Sequence, residues 1–531
     1  MTRGRTAAFW IAAFVCHRGL VLAAGFDGVF FWEESYRLLA AEALWEGWNL
    51  SLADLQADPY AGGSLVVSLL AAPLFGLGIG SLLALKWIAL LWSAAGLLLW
   101  FLLIDEHFGR RAANFFSLLY LAAPPLFVAY NLIAMGSHAE TVTWSAAQFF
   151  LMLRYVRGPG RRRDLAAWMV VAGLSIWFTY VSVLTLAVCA AYALAAGALP
   201  LRRWPEAAAQ LAAGLTPWLL YNLYNSGAGL DVLQTAFTPT YGLGRGRLDA
   251  LVHLVTAGIP MGLRFELRPA AHLYYAGSLA AWAAAAWQTV ARRGSAEAAA
   301  PGHMFGRQGP VAGNWVWDRP ELPLLALFPL FAIAIAASSH DFNERGLVWF
   351  LSFRILVPAM PAMFFALALS LSRLQLRVLI HATVAAFILL GAAAGLQLAG
   401  HGNGQRAGLE AGARPMGAEA MGHLLVYKHG ADMAHINSRV AAIDDGQLRT
   451  AAYRGVGFGL AHLYRFSAEL KPETIADDLM AAPPDHRRDV RAGIATALGP
   501  GLAQVRAVPP SPRTERMGEA LDRLDPQLPH Q

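Results

Sequence analysis

Apolar residues in this chain gather into runs long enough to cross a bilayer, which takes about 20 consecutive apolar residues per helix. Such runs fall at 7–25, 82–104, 113–131, 141–156, 165–180, 182–200, 207–224, 270–290, 322–338, 352–371 and 378–399, and they predict about eleven transmembrane helices. A further stretch, 64–79 (SLVVSLLAAPLFGLGI), is apolar but short and broken by Pro73 and glycines, which suits a re-entrant or interfacial segment. The start, MTRGR then AAFWIAAFV, has the charged-then-apolar form of a signal peptide. His17 and Arg18 interrupt that run and many spans follow, so it reads as an uncleaved first span.

The polar positions between the runs set the orientation. Arg3 and Arg5, Arg110 and Arg111, Arg157 with Arg161, Arg162 and Arg163, Arg202 and Arg203, Arg292 and Arg293, and Arg373 and Arg377 fall on every second loop. Lys and Arg in short loops are retained in the cytoplasm, so these loops and the N-terminus are expected there. The opposite face, periplasmic for a bacterial inner membrane, then receives 26–63, 131–140, 225–269, 339–351 and everything after residue 400. Within the membrane part, 1–400, the segment 294–320 is rich in Gly and Ala and reads as a linker. Residues 401–531 turn polar, with modest apolar runs such as AMGHLLVY and GVGFGLAHLYRF. They predict a small, mostly α-helical extramembrane domain in the periplasm, ending in a Pro-rich disordered segment.

Composition agrees with this layout. The 531 residues are 57% hydrophobic and 14% charged, against roughly 25% charged for soluble proteins, which excludes a single soluble enzyme core. Lys and Arg exceed Asp and Glu by 41 − 35 = 6, but the basic residues mark topology and leave no nucleic-acid footprint. Cys16 and Cys189 both lie in apolar segments, so neither a disulfide framework nor a cysteine zinc site is available.

The first external loop, 26–63, is the most unusual feature: Asp27, Glu33, Glu34, Glu42, Glu46, Asp54 and Asp58 stand against Arg37 alone, net −6. Within it EESYRLLAAEALWEG has helical spacing and predicts an amphipathic helix lying in the interface, anchored by Trp32, Trp45 and Trp48. Its carboxylates admit two readings: a solvated acidic face that complements the helix N-terminus, or a general base held at the membrane surface. A second polar group, Asn131, Ser137, His138 and Glu140, lies on the same face, and so does a third, His340, Asp341, Glu344, Arg345 and Arg354. Converging carboxylates would suit acid/base work or a divalent cation, Mg or Mn. Arg354, placed a few residues into an apolar run, either snorkels to the interface or grips a phosphate. Arg18 and Lys86, near the outer ends of their spans, pose the same question. No HExxH, Walker loop, dinucleotide fingerprint or Gly-x-Ser-x-Gly elbow occurs.

The order of these motifs resembles the GT-C membrane glycosyltransferases, and among them bacterial relatives of the protein O-mannosyltransferases and the lipid A aminoarabinose transferase. The resemblance rests on Glu33, Glu34, Ser35 and Tyr36 followed by an Ala-rich helix ending in Gly47. It continues through PYAGGSLVVSLLAAPLFGLGIGSLLALKW, FGRRAANFFSLLYLAAPPLFVAY and FRILVPAMP, and covers about residues 7–400. It implies a GT-C-like helical bundle and a polyprenyl-phosphate sugar donor. The sugar would pass to a lipid, glycan or protein acceptor, beside membrane lipid, at the periplasmic face. By motif position Glu33 takes the place of the catalytic Asp and Glu34 that of its acidic neighbour. Tyr36, His138, Glu140, His340 and Asp341 would be substrate-binding, with Arg354, and then Arg18 and Lys86, near the lipid phosphate. The first acidic residue is Glu where the family usually has Asp. Two other classes stay open on sequence alone: a lipid-linked glycan transporter, and a non-catalytic polytopic protein.

Overall fold

The computed structural model describes residues 2–31, 33–57, 61–137, 139–158, 162–224, 247–291, 316, 318–337, 354–375, 377–400, 406–467, 469–498 and 512–524. Among them the regular structure is helical throughout, with no β-strand. Among the described residues four helical stretches are long and apolar enough to cross a membrane: Arg3–Ala24, Leu82–Phe108, Leu356–Arg373 and Ile380–Gly400. Four shorter apolar helices accompany them, Gly63–Phe75, Ser182–Ala195, Leu251–Gly262 and Glu321–Ala337. Leu20, Leu223, Trp287, Val378 and Leu389 are all mostly exposed on the outside of their helices. That much bare apolar surface suits a hydrocarbon surround.

The expected count of eleven spans is coarser than the structure, because prolines cut two of the runs. The run 113–131 divides into α6 (Arg110–Leu121) and α7 (Pro125–Tyr130), since Pro125 has no N–H to continue the ladder and starts a new helix instead. The run 207–224 divides at Leu215 into α11 (Trp204–Gly214) and α12 (Thr216–Tyr224), with Pro217 in the first turn of the second. The segment 64–79 is α4 (Gly63–Phe75), too short to span on its own. Preceding these are α1 (Arg3–Ala24), α2 (Glu33–Glu46) and α3 (Leu52–Leu55). Between α4 and α11 lie α5 (Ser81–Phe108), α8 (Thr141–Arg157), α9 (Arg162–Phe178) and α10 (Ser182–Ala195). After α12 come α13 (Arg247–His253), α14 (Ile259–Gly262), α15 (Arg268–Ala291), α16 (Glu321–Ala337), α17 (Met360–Arg373) and α18 (Arg377–Gly400). The C-terminal helices are α19 (Arg406–His429), α20 (Met433–Ala441), α21 (Gly446–Phe466), α22 (Ile475–Ala481), α23 (Arg487–Leu498) and α24 (Pro512–Asp522).

Two hydrophobic cores meet at α2. Leu38 and Ala41 pack into the large core with α5, α6, α7 and α17, whereas Tyr36, Leu39, Ala40 and Ala43 join Met421, Leu425 and Val426 of α19 in the second. The expected interfacial helix is therefore buried from Glu34 to Ala43, between α4 and α19, although Trp45 at its end stays exposed. The close approach of α19 depends on Gly417, where a Cβ would stand 2.2 Å from the Ser35 carbonyl oxygen. Arg414 adds an ion pair to Glu42 at 2.9 Å. Lys428 donates to the carbonyls of Ala53, Asp54 and Gln56 at 2.9, 2.8 and 2.5 Å, which satisfies the orphan acceptors at the end of α3.

Candidate active site

Glu33 and Glu34 open α2, and because successive helical residues point about 100° apart they meet different surroundings. Glu33 reaches outward. Its Oε1 accepts a 2.7 Å hydrogen bond from Arg354 Nη1, while Oε2 lies 3.4 Å from Nη2 of Arg37, one turn further on. Arg37 also donates from Nη1 to the Glu33 carbonyl at 2.8 Å and from Nε to the Met135 carbonyl at 3.1 Å, so its guanidinium is fixed. Side-chain exposure is 14% for Glu33 and 20% for Arg354, against 3% for Arg37. The pair is thus reachable on one side and backed by a rigid cation on the other.

Glu34 points inward and is sealed. Lys86 Nζ sits 2.6 Å from its Oε2, both side chains are fully buried, and the ammonium also donates to the Val29 carbonyl at 2.7 Å. The remaining capacity of the carboxylate goes to the backbone N–H groups of Phe31 (3.1 Å) and Ala134 (3.0 Å). Burying two charges costs several kcal/mol per ion, and this arrangement offsets the cost with a partner and three further hydrogen bonds. One carboxylate thereby ties together the loop before α2, the start of α5 and the segment around Ala134.

The other residues singled out from sequence divide in a similar way. Arg354 does not stand inside a span but at the head of the 3-10 turn Arg354–Ala359 that leads into α17, where Glu33 meets it. Arg18 is fully buried, stacked 4.9 Å above the Phe14 ring, and donates to the carbonyls of Tyr120 and Leu121 and to Asn131 Oδ1. Its donors are spent on the protein. Glu140 is buried and accepts from the N–H groups of Gly136 (2.9 Å) and Ser137 (3.0 Å), fastening the turn before α8. Gly136 takes φ +64° there, and its backbone lies against Gly63, a contact that no side chain would permit. Tyr36 is buried and donates to the Asp54 carbonyl at 2.8 Å, which commits its hydroxyl to the protein. His138, His340 and Asp341 lie outside the described residues.

A cavity of about 830 Å³ is lined by apolar side chains, among them Phe30, Leu126, Ala129, Ile133 and Phe265, together with Arg264, Glu266, Arg268, His272 and Gln397. Tyr130, next after Ala129, is buried within electrostatic reach of Glu33, Arg354 and Arg264 and so links the pair to the cavity wall. Arg264 adopts φ +64°, an arrangement that costs of order 1–3 kcal/mol in a residue with a Cβ. It is held by Gln397, whose Nε2 donates to the Arg264 carbonyl at 2.7 Å and whose Oε1 accepts the Glu266 N–H at 3.2 Å. Apolar lining with two guanidinium groups against one carboxylate, Glu266, suits an amphipathic anion. From sequence Arg37 stood out only as the lone cation of the acidic loop, and Tyr130, Arg264 and Gln397 did not stand out at all. Only Arg37 carried a signal, its i,i+4 spacing from Glu33.

No protein-family model matches the chain, nor does any curated protein. The crystal structure of ArnT from Cupriavidus metallidurans in the apo state is similar to it at 16% sequence identity and a TM-score of 0.38, over 98% of this chain and 80% of that one. A likeness of this size leaves the chemistry to be argued from the site's own geometry.

Proposed function

We propose that this protein is a GT-C-like membrane glycosyltransferase of the bacterial inner membrane, acting at the periplasmic face with Glu33 as general base. The donor is a polyprenyl-phosphate sugar, the acceptor a hydroxyl or amine on a lipid, glycan or protein. Residues 1–400 form the transferase bundle and 401–531 its periplasmic helical domain. The observation that carries the reading is the mostly buried but reachable Glu33–Arg354 pair, together with a cavity of about 830 Å³ whose lining combines apolar side chains with Arg264 and Arg268. The order of the sequence motifs supports it.

In the resting protein both oxygens of Glu33 face guanidinium groups, a set suited to anions and unlike the cage of hard oxygens that Mg or Mn requires. A donor phosphate entering the cavity competes for Arg354 and draws it off the carboxylate, which turns Glu33 from a paired ion into a base. The acceptor heteroatom then attacks the anomeric carbon and its proton passes to Glu33. The bond from that carbon to the phosphate oxygen breaks, and the phosphate leaves with the electron pair toward Arg354 and Arg264.

Glu33→Gln keeps the size and loses the base. Transfer from a radiolabelled polyprenyl-phosphate sugar in membrane vesicles is expected to fall by roughly 10²–10⁴-fold, with the melting temperature of the purified protein preserved. Wild-type transfer by that variant would refute the assignment. Accumulation of donor on the far side of vesicles, with no covalent product, would show a transporter instead.

A further inference from the structure

A second cluster of chemically capable side chains lies apart from the Glu33 centre, where the first loop meets the C-terminal helices. Asp54, in α3, is held in a capping box with Ser51. His429 closes α19, and His435 stands in the first turn of α20, its N–H bonded to Asp432 Oδ1 at 3.1 Å. The two imidazole rings are 4.2 Å apart between centroids, and His429 Nε2 is 3.5 Å from Asp54 Oδ1. One ligand atom from each of the three residues lies within 4.8 Å of the others. His429 Nε2 is moreover buried, and its 3.5 Å approach to Asp54 Oδ1 lies at the limit of hydrogen-bond length, so the nitrogen is weakly satisfied at the centre of the group.

The geometry points to a transition-metal site of the zinc type, in which Asp54, His429 and His435 bind one ion and join the first loop to the C-terminal helices. Two imidazoles and one carboxylate are the mixed nitrogen and oxygen set that zinc accepts. Three protein ligands leave a fourth position for water. The competing cations are accounted for. Lys428 is committed to three backbone carbonyls. Arg439 faces Asp54 Oδ2 at 3.2 Å, leaving Oδ1 turned to the histidines, and its Nε also donates to His435 Nε2 at 3.3 Å. An ion therefore binds against one neighbouring positive charge and displaces one hydrogen bond. The affinity is accordingly below that of a closed four-ligand site, and removal of that charge tightens binding.

The site stands independently of the transferase reading, and its test needs no substrate. Full-length protein, purified in detergent without a polyhistidine tag and stripped with a chelator, is titrated with Zn²⁺ by calorimetry and with Co²⁺ by visible absorption. One Zn²⁺ per chain is expected, with a ligand-field band of tetrahedral Co²⁺ and a higher melting temperature in Zn²⁺ than in chelator. Loss of a group that merely orients a metal ligand weakens binding by about 10–100-fold, so His429→Ala and His435→Ala are expected to lose at least tenfold in affinity, and Arg439→Gln to gain. Absence of stoichiometric Zn²⁺ together with absence of the Co²⁺ band in the wild-type protein overturns the proposal without reference to any variant. So does unchanged Zn²⁺ affinity in the double histidine variant.

Discussion

Replacement of Lys86 by Met separates the two carboxylates of the loop by function. The substitution conserves most of the side-chain volume and removes the ammonium that sits 2.6 Å from Glu34 in a fully buried pair. Breaking a buried ion pair from one side costs about 3–5 kcal/mol, because the remaining charge stays desolvated. Here the carboxylate keeps two backbone donors, Phe31 N–H and Ala134 N–H, and hydrogen bonds to charged groups are worth about 1.5–3 kcal/mol each. The loss is therefore expected at the lower end, about 3 kcal/mol. Glu34→Gln leaves the ammonium with the Val29 carbonyl and the new amide oxygen and is expected to cost a similar amount. With both changes together no charge remains buried, so the double variant is expected to be less destabilised than the sum of the single ones. The assay is a double-mutant cycle of unfolding in mixed micelles titrated with a denaturing detergent, with transfer activity measured on the same samples. Wild-type stability in Lys86→Met, or strictly additive losses, would refute the reasoning. Loss of activity at unchanged stability would instead place Lys86 in contact with substrate.

Gly417→Val drives a branched side chain into the Ser35 carbonyl, and backbone on both sides must separate. It is expected to destabilise by about 1–3 kcal/mol and to lower transfer, because the displaced first turn of α2 carries Glu33; melting temperature and activity on one preparation check both effects. At Glu42, burial pushes the carboxyl above its ordinary value, with Arg414 opposing. The folded state then takes up the proton before the unfolded chain does, so this group costs stability above its folded pKa and the cost disappears as pH falls toward about 4.3, the unfolded value. The wild type is expected to gain on Glu42→Gln in melting temperature as the pH is lowered from 7 to 4, and a difference that does not change with pH would contradict this.

The sequence disclosed the acidic loop because seven carboxylates against one Arg stand out in a chain so poor in charge, and helical spacing placed Glu33 and Glu34 in a first turn. It did not disclose which carboxylate is sealed and which is reachable. That division is made by Lys86, 52 residues away, and by Arg354, 321 residues away, and neither separation leaves a local pattern. Hydropathy windows found the apolar segments and ran across the breaks at Pro125 and Pro217, although both prolines were visible as stop signals. Burial of α2 was illegible for a different reason. Its outer face carries Glu42, which reads as a solvent-facing charge until Arg414 of a helix nearly four hundred residues later is seen against it.

Because α2 contributes to two cores, its order belongs to neither alone. Removing the segment from Arg406 onward would uncover Tyr36, Leu39, Ala40 and Ala43 and strip Glu42 of its counter-ion, a few residues from Glu33. The C-terminal helices thus act as the far half of a vice whose jaws close on the turn that carries Glu33. Any change in how they pack is transmitted to the carboxylate without a ligand travelling between them, and a graft of this tail onto another bundle succeeds only if the matching face of α2 travels with it.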